Sequence, residues 1–364
     1  MAPLRTPGRP TRGAAGDTWC SGADSLQGVS TRDTDWEGVR LHVVTGKGGT
    51  GKTTVAGALA LALASGGKRV LLIEVEGRQG IAQVFDRPPL PYEERKIAVA
   101  PPSATQPGGD VYALVADPES ALLEYLEIFY NLRHAGKALT KMGVTDFATT
   151  IAPGLRDVLL TGKAVEAVRR KKGSSWVYDA VVMDAPPTGR IGRYLNVTSE
   201  VSGLARVGPI RNHADTVRKV IHSPETAVHF VTTLEEMPVQ EVLDGIAELR
   251  GLDGGIPVGG IMINMVRPVE VPASQLHLMA SGEVDEHELA LGLKAAGLDD
   301  SVRLAADLAA ELTEHAVAAV SQEDQRRRLA DAAQPRYELP VITDGMDLGG
   351  LYRLAAALRD QGAA

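Results

Sequence analysis

The residues best suited to chemistry lie in a glycine-rich loop that spans Gly46 to Thr53 and reads Gly-Lys-Gly-Gly-Thr-Gly-Lys-Thr. The loop fits the pattern G-x-x-x-x-G-K-[ST] and sits between an apolar run and a helix-prone one. Its glycines let successive backbone N–H groups face one point at the positive end of the next helix. Such a nest binds phosphate, so the sequence predicts a nucleoside triphosphate site, with ATP and ADP as ligands. The alternative is a glycine-rich turn that binds nothing, but a complete loop after a strand is rarely accidental.

The polar side chains of the loop have separate expected roles. Lys52 is expected to reach the β- and γ-phosphates, and the Thr53 hydroxyl to complete the shell of a Mg²⁺ ion. The basic pattern does not need the second lysine, Lys47, and a solvated surface charge is the default interpretation of any lysine. The expected nucleotide-binding residues of the loop are Gly46, Lys47, Gly48, Gly49, Thr50, Gly51, Lys52, Thr53 and Thr54.

A carboxylate follows a second apolar run. Residues 181–183 are Val-Val-Met, and Asp184 comes directly after them, followed by Ala-Pro-Pro-Thr-Gly. An acid at this place can hold a water of the Mg²⁺ shell. The backbone N–H groups around Pro187, Thr188 and Gly189 can sense a γ-phosphate. We therefore expect Asp184 at the metal and the three following residues in a nucleotide-sensitive switch.

Short apolar, β-branched runs alternate with helical stretches along the chain, and this pattern must position the loop. It predicts an α/β P-loop NTPase fold, a mostly parallel sheet flanked by helices on both faces. Ligands of such sheets lie at the carboxyl ends of the strands, where the loop is found. The predicted strands are Leu41 to Thr45, Arg69 to Val75, Val111 to Ala116, Tyr178 to Asp184, Ala227 to Thr232, Val258 to Ile263 and Tyr337 to Ile342.

Two inserts and a leader interrupt this pattern. Residues 118–174 and 270–330 carry apolar residues at helical spacing and predict a helical subdomain beside the sheet. Residues 1–37 are rich in Gly, Pro, Ser, Thr and Asp, and we interpret them as a disordered leader or a mis-assigned start. A single domain is then expected over residues 38–364.

Composition excludes several function classes. The 364 residues carry a net charge of −8, which argues against a nucleic-acid partner. No apolar run reaches the ~18 residues of a membrane span. The only cysteine, Cys20, lies in the expected leader, so the folded part cannot hold a disulfide, a thiolate metal site or an iron–sulfur cluster. We expect a cytoplasmic protein, and an iron-protein-type reductase is excluded.

The loop, with Lys47 in second place, resembles the deviant Walker A box of one ATPase family. That family includes the arsenite-pump ATPase, the tail-anchored-protein targeting ATPase, and the partition and septum-site ATPases. In this family the extra lysine reaches into the nucleotide site of a facing subunit. The resemblance implies a dimer closed over ATP, in which Lys47 and Lys52 are catalytic because they stabilise charge that develops in the transition state.

Other motifs resemble the arsenite-pump and tail-anchored-targeting branch rather than the partition branch. They are Asp-x-x-Pro-Thr-Gly at 184–189, Asp-Pro at 117–118, Ala-Pro-Gly at 152–154 and Asn264 at the end of a late strand. Their order agrees over nearly the whole expected domain. The resemblance implies that Asn264 and Pro340 bind adenine; the alternative is that they are simply a polar strand end and a loop proline.

Three departures from that branch carry information. Where the branch has Asp-Pro-Ala-His, this chain has Glu76-Gly-Arg-Gln, so Glu76 either orients the attacking water as the third catalytic residue or pairs with Arg78. Arg190 replaces a common histidine and either contacts phosphate or a partner, or is simply solvated. The missing cysteines exclude a thiolate metalloid site and a Cys-x-x-Cys zinc staple, which leaves Mg²⁺ as the expected metal.

The leading interpretation is a dimeric ATP-hydrolysing switch of this family, coupled to transport or protein targeting. Its partner subunit is an identical chain or a paralogous ATPase, and a membrane-protein partner or client would place it peripherally at the membrane. One alternative is a membrane- or DNA-associated positioning ATPase, for which the amphipathic run at 348–358 is the candidate membrane contact. We expect that run to pack on the sheet instead. An ATP-dependent ligase is a third possibility.

Overall fold

The computed structural model of the chain describes residues 35–102, 107–130, 153–196, 209–269 and 271–364, which contain ten strands and eleven helices. The strands are β1 Leu41–Gly46, β2 Arg69–Glu74, β3 Arg95–Val99, β4 Asp110–Val115, β5 Lys171–Lys172, β6 Ser175–Trp176, β7 Ala180–Asp184, β8 Thr226–Thr232, β9 Val258–Val266 and β10 Arg336–Pro340. The helices are α1 Lys52–Ala64, α2 Gly80–Val84, α3 Pro118–Tyr130, α4 Pro153–Arg169, α5 Thr188–Leu195, α6 Pro209–Ile221, α7 Glu236–Gly251, α8 Ala273–Ala280, α9 Glu286–Ala295, α10 Ser301–Ala330 and α11 Leu348–Asp360.

Eight strands form one sheet in the order β10-β9-β8-β1-β7-β2-β4-β3. Every neighbouring pair is parallel except β3 and β4, which are antiparallel, and β5 pairs only with β6 in a separate hairpin. The mostly parallel α/β fold is therefore confirmed, and the seven predicted strands are all present. The sequence pattern missed β3, an edge strand in which only Ile97 and Ala98 are buried.

Helices cover both faces of the sheet, and alternate residues of β1 point into two cores. Leu41 and Val43 pack with α4, α5, α6 and α7, whereas Val44 packs with α1, α2 and α11. Helix α1 is buried along nearly its whole length, from Val55 to Ala64. Helix α11 packs against α1. The amphipathic run at 348–358 therefore packs inside the fold, as predicted. Its apolar face is buried against α1.

The two expected inserts contain different sets of helices. Helices α3 and α4 fall in the first insert, whose residues 131–152 lie outside the described part of the chain. Helices α8, α9 and α10 fall in the second insert, and α8 and α9 each pack on α10. We call residues 273–330 the arm. Among the helices that the structure describes, no segment combines the length and the hydrophobicity that a membrane span requires.

The described fold includes residues that composition placed in the leader. Asp35 N donates to Gly362 O at 3.0 Å, and Asp35 Oδ2 accepts from Tyr337 Oη at 2.6 Å. The Trp36 ring meets the His229 ring edge-on at 4.9 Å between centroids. Asp35 and Trp36 thus make long-range contacts within the described fold, whereas the expected domain boundary near residue 37 stays a prediction. The rest of the expected leader lies outside the described residues.

Candidate functional site

The phosphate loop leaves the carboxyl end of β1, which lies between β7 and β8 in the sheet. Gly49 and Gly51 have φ values of 91° and 84°, a left-handed conformation that favours glycine. A Cβ on Gly46 would lie only 2.3 Å from Val231 O. Glycine is thus required at three places of the loop by backbone geometry and by close approach. This is the conformational freedom that an anion nest needs.

Hydrogen bonds within the chain hold the loop in shape. Thr50 Oγ1 donates to Lys47 O at 2.8 Å, and Asn264 Nδ2 donates to Thr50 O at 2.9 Å. Asn264 is buried near the end of β9, and a Cβ on Gly51 would lie 2.4 Å from its Nδ2. The structure therefore gives Asn264 a bracing role toward the loop. Its expected contact with adenine stays a prediction, as does that of Pro340, which is exposed at the end of β10.

Two oxygen-bearing side chains meet where α1 begins. Thr53 Oγ1 donates to Asp184 Oδ2 at 2.6 Å, which brings together the two residues expected at Mg²⁺. Asp184 is buried, and its Oδ1 has no hydrogen-bond partner among the described residues. Burial raises the pKa of Asp184 to about 6, with Glu74 and Glu76 adding to the rise, whereas the Thr53 hydrogen bond and Lys52 oppose it. A buried, unpartnered carboxylate oxygen beside a hydroxyl fits a hard cation such as Mg²⁺.

A second buried acid, Glu74, lies beside Asp184 and was missed by the sequence interpretation. It ends β2, and its Cα is paired in register with that of Asp184 on β7. Its Oε2 accepts from Ile81 N at 3.0 Å, and its Oε1 has no partner in the described part of the chain. The available signal was the one used for Asp184, an apolar strand that ends in a carboxylate. Two carboxylates therefore face the same end of the sheet.

Glu76 lies two residues beyond Glu74, between two arginines. Its Oε2 is 3.8 Å from Arg78 Nη2 and its Oε1 is 3.9 Å from Arg190 Nη1. Both distances are too long for hydrogen bonds, so these are loose ion pairs. The pairing with Arg78 that the sequence allowed is thus present in weak form. The role of Glu76 toward an attacking water stays a prediction.

The segment expected to act as a switch is held against the end of β1. Thr45 Oγ1 donates to Pro186 O at 2.7 Å, and Pro187 occupies the position directly before α5. Thr188 is buried, and its Oγ1 has no partner among the described residues. The segment before α5 is therefore hydrogen-bonded to the end of β1, from which the phosphate loop leaves. The role of Pro187, Thr188 and Gly189 toward a γ-phosphate stays a prediction.

The second lysine of the loop makes a contact that no sequence pattern indicated. Lys47 Nζ is 2.8 Å from Glu241 Oε1, and 33% of each side chain is exposed. Glu241 lies on α7, which packs on α5. In the single chain, Lys47 is thus bound to an acid on a neighbouring helix. Lys52, the first residue of α1, is near enough to Asp184 to influence its pKa.

The known proteins that this chain resembles in sequence are ATPases. A family model described as "Anion-transporting ATPase" matches residues 39–219. The chain is 52% identical over 326 residues to "ATPase BagA" of Mycobacterium tuberculosis, covering 89% of this chain and 94% of that protein. The "Putative ATPase Mb3704" of Mycobacterium bovis matches with the same identity and coverage. An Escherichia coli "Arsenical pump-driving ATPase" is 26% identical over 277 residues, which are 68% of this chain and 42% of that protein.

Proposed function

Since this chain belongs to the anion-transporting ATPase family and is an ATPase, we propose that it works as a dimeric switch. Two subunits close over ATP, hydrolysis reopens them, and the helices that flank the site pass the motion to a partner. The resemblance to that family supplies the role of Lys47 across the dimer. The geometry of the phosphate loop and of Asp184 supports the nucleotide chemistry.

The observation that best supports the proposal is the position of Lys47. Its side chain is partly exposed, and its ammonium group is bound to Glu241 of α7, an acid outside the phosphate loop. A lysine at the rim of a nucleotide site can exchange such a partner for a phosphate on a facing chain without refolding the loop. That exchange would add a positive charge where the transition state accumulates negative charge.

The proposed chemistry is attack of water on the γ-phosphorus, with cleavage of its bond to the bridging oxygen. ADP, inorganic phosphate and a proton leave. Loop N–H groups and Lys52 hold the phosphates, and Glu76 orients the water. Thr53 and Asp184 would hold a Mg²⁺ ion, which neutralises phosphate charge when it is bound. Lys47 of the facing subunit completes the charge balance.

The proposed switch is the start of α5. N–H groups around Pro187, Thr188 and Gly189 would bind the γ-phosphate and release it after hydrolysis. Because the same helix packs against α7, a shift at its first turn would be passed to α7. The partner subunit is proposed to be an identical chain or a paralogous ATPase, and a membrane-protein partner or client would receive the motion in transport or targeting.

The decisive experiment replaces Lys47 by alanine. Removal of one transition-state donor costs about 10²- to 10³-fold in turnover in well-studied enzymes, so a loss of this order is expected. Binding of a fluorescent ATP analogue should stay within about twofold, because uniform ground-state binding does not depend on this charge. Lys294→Ala, at an exposed site on α9, is the matched control and should behave as wild type. Full turnover in Lys47→Ala would remove the dimeric switch from consideration.

A second experiment addresses the partner. Glu76→Gln should bind ATP but hydrolyse it slowly, which holds the closed state long enough for capture. Affinity purification with ATP, followed by identification of the bound proteins, then separates the alternatives. An integral-membrane partner supports transport or targeting, whereas recovery of a paralogous ATPase alone supports a heterodimeric switch.

A further inference from the structure

We propose that Glu241 is the resting partner of Lys47, a positioning residue that keeps this lysine within its own chain until two subunits close. The inference rests on the proposed dimeric switch and adds a competing contact to it. In the open state Lys47 is bound in cis to Glu241. In the closed state it must leave this carboxylate, so the free energy of the pair opposes closure.

The contact has the geometry of a formed ion pair. Lys47 Nζ lies 2.8 Å from Glu241 Oε1, and two thirds of each side chain is shielded from solvent. A pair of this kind is weak, because partial exposure screens it and fixing two long side chains costs entropy. A weak pair suits a contact that must break in every cycle. It is strong enough to bias where Lys47 lies and too weak to prevent its release.

The helix that carries Glu241 is also packed directly on the switch helix. Glu241, Gly245 and Glu248 are spaced i, i+4 and i+7, so they share one face of α7. A Cβ on Gly245 would lie 2.6 Å from Thr188 Cγ2. A Cβ on Gly192 of α5 would lie 2.0 Å from Glu248 Oε1. The two helices therefore touch through glycines at two places along this face.

These contacts connect the switch to the resting pair over a short path. Thr188 is the first residue of α5 and belongs to the segment proposed to bind the γ-phosphate. Any shift of Thr188 meets the backbone of α7 at Gly245, because no side chain lies between them. Gly245 is one helical turn from Glu241. Binding of γ-phosphate would therefore disturb the carboxylate that holds Lys47, and release of the lysine would follow nucleotide binding.

The test measures ATPase rate and sedimentation as functions of protein concentration, in the presence of ATP or a slowly hydrolysed analogue. Glu241→Gln removes the charge but keeps the shape of the side chain. We expect it to lower the protein concentration for half-maximal activity and for dimer formation by about threefold to tenfold, as a competing state is removed. The maximal rate at saturating protein and the melting temperature should not change. Glu241→Ala is a second variant in case glutamine perturbs the helix.

Two further variants distinguish the possible failures. Asp244 lies on the same helix, and among the described residues its carboxylate accepts a side-chain hydrogen bond from Gln240 alone, so Asp244→Asn should match wild type. If Glu241→Gln and Glu241→Ala both keep the wild-type concentration dependence while Lys47→Ala is inactive, the resting pair is wrong and the switch stands. An increase in the concentration required would also overturn the resting pair. If Lys47→Ala is fully active, the proposed function itself fails.

Discussion

The phosphate-loop end of the sheet and the arm use their side chains in opposite ways. At the loop, polar groups are buried and joined to backbone, as with Thr45 to Pro186 and Asn264 to Thr50. In the arm, α8 and α9 bury no residue at all. Large apolar side chains are instead exposed there, at Leu278, Leu291, Leu298, Val302 and Val317. The loop end is arranged in advance by its own chain, whereas the arm presents a surface that the described part of the chain does not cover.

The largest expected effect is that of an alanine at Gly51. Its φ of 84° and the 2.4 Å approach of Asn264 Nδ2 to a Cβ both oppose any side chain. We expect Gly51→Ala to lose ATPase activity by at least about 100-fold and about 1–3 kcal/mol of stability. The checks are steady-state turnover and urea unfolding.

The matched control is Gly292→Ala in α9, where nothing lies within 4 Å of an added Cβ. Alanine there should leave activity unchanged and stabilise the helix by about 0.5–1 kcal/mol. Equal losses in the two variants would contradict the difference between a preorganised loop and an open arm.

The next effect concerns Asp184 and depends on pH. Its pKa is raised by burial to about 6, so between about pH 4 and 6 the folded state holds a proton that the unfolded state has lost. The contribution of this carboxyl group to the free energy of unfolding is therefore fully present below that range and is lost as pH rises through about 6. Asp184→Asn is neutral throughout, so at pH 7 without Mg²⁺ it should be more stable than wild type by about 1–3 kcal/mol.

The same variant should lose most Mg²⁺-dependent ATPase activity, and wild-type activity should fall as pH drops below about 6, because the ionised carboxylate is the form that can hold a cation. Urea unfolding from pH 4 to 8 and turnover over the same range provide the measurements. A stability difference that does not grow between pH 5 and 7 would show that Asp184 titrates normally.

The smallest effect is expected in the arm. Leu291 is 56% exposed on α9, so Leu291→Ser should change stability by less than about 0.5 kcal/mol and leave basal ATPase activity unaltered. Capture of partners by the Glu76→Gln chain can then be repeated with and without this substitution. A large stability loss would mean that the arm is packed more tightly than its exposure indicates.

The features that could be predicted from the sequence are those marked by residues close together in the chain. The phosphate loop, its flanking strand and helix, and Asp184 each lie within a few residues of a recognisable apolar run. Glu74 had the same signal, a carboxylate at the end of an apolar strand, but no motif drew attention to it. The sequence assigned Thr53 and Asp184 separately to Mg²⁺, and their direct contact became visible only once the structure placed β1 beside β7.

What the sequence did not show depends on contacts between distant segments. The pairing of Lys47 with Glu241 joins a loop to a helix that begins after five intervening strands of the main sheet. Neither residue type nor spacing fixes such a partner. Asp35 was assigned to a leader by composition, although its hydrogen bonds are made with Tyr337 and Gly362 near the end of the chain.

Helix α1 is enclosed on one side by the sheet and on the other by α11, with Val55 to Ala64 buried. Its amide protons should therefore exchange with solvent only when the whole domain opens, whereas those of the arm should exchange early. Helix α11 therefore supports the nucleotide site indirectly, by covering α1. A chain cut before Leu348 would uncover the helix that anchors the phosphate loop, so a truncation far from the loop in sequence would act as a nucleotide-binding mutation.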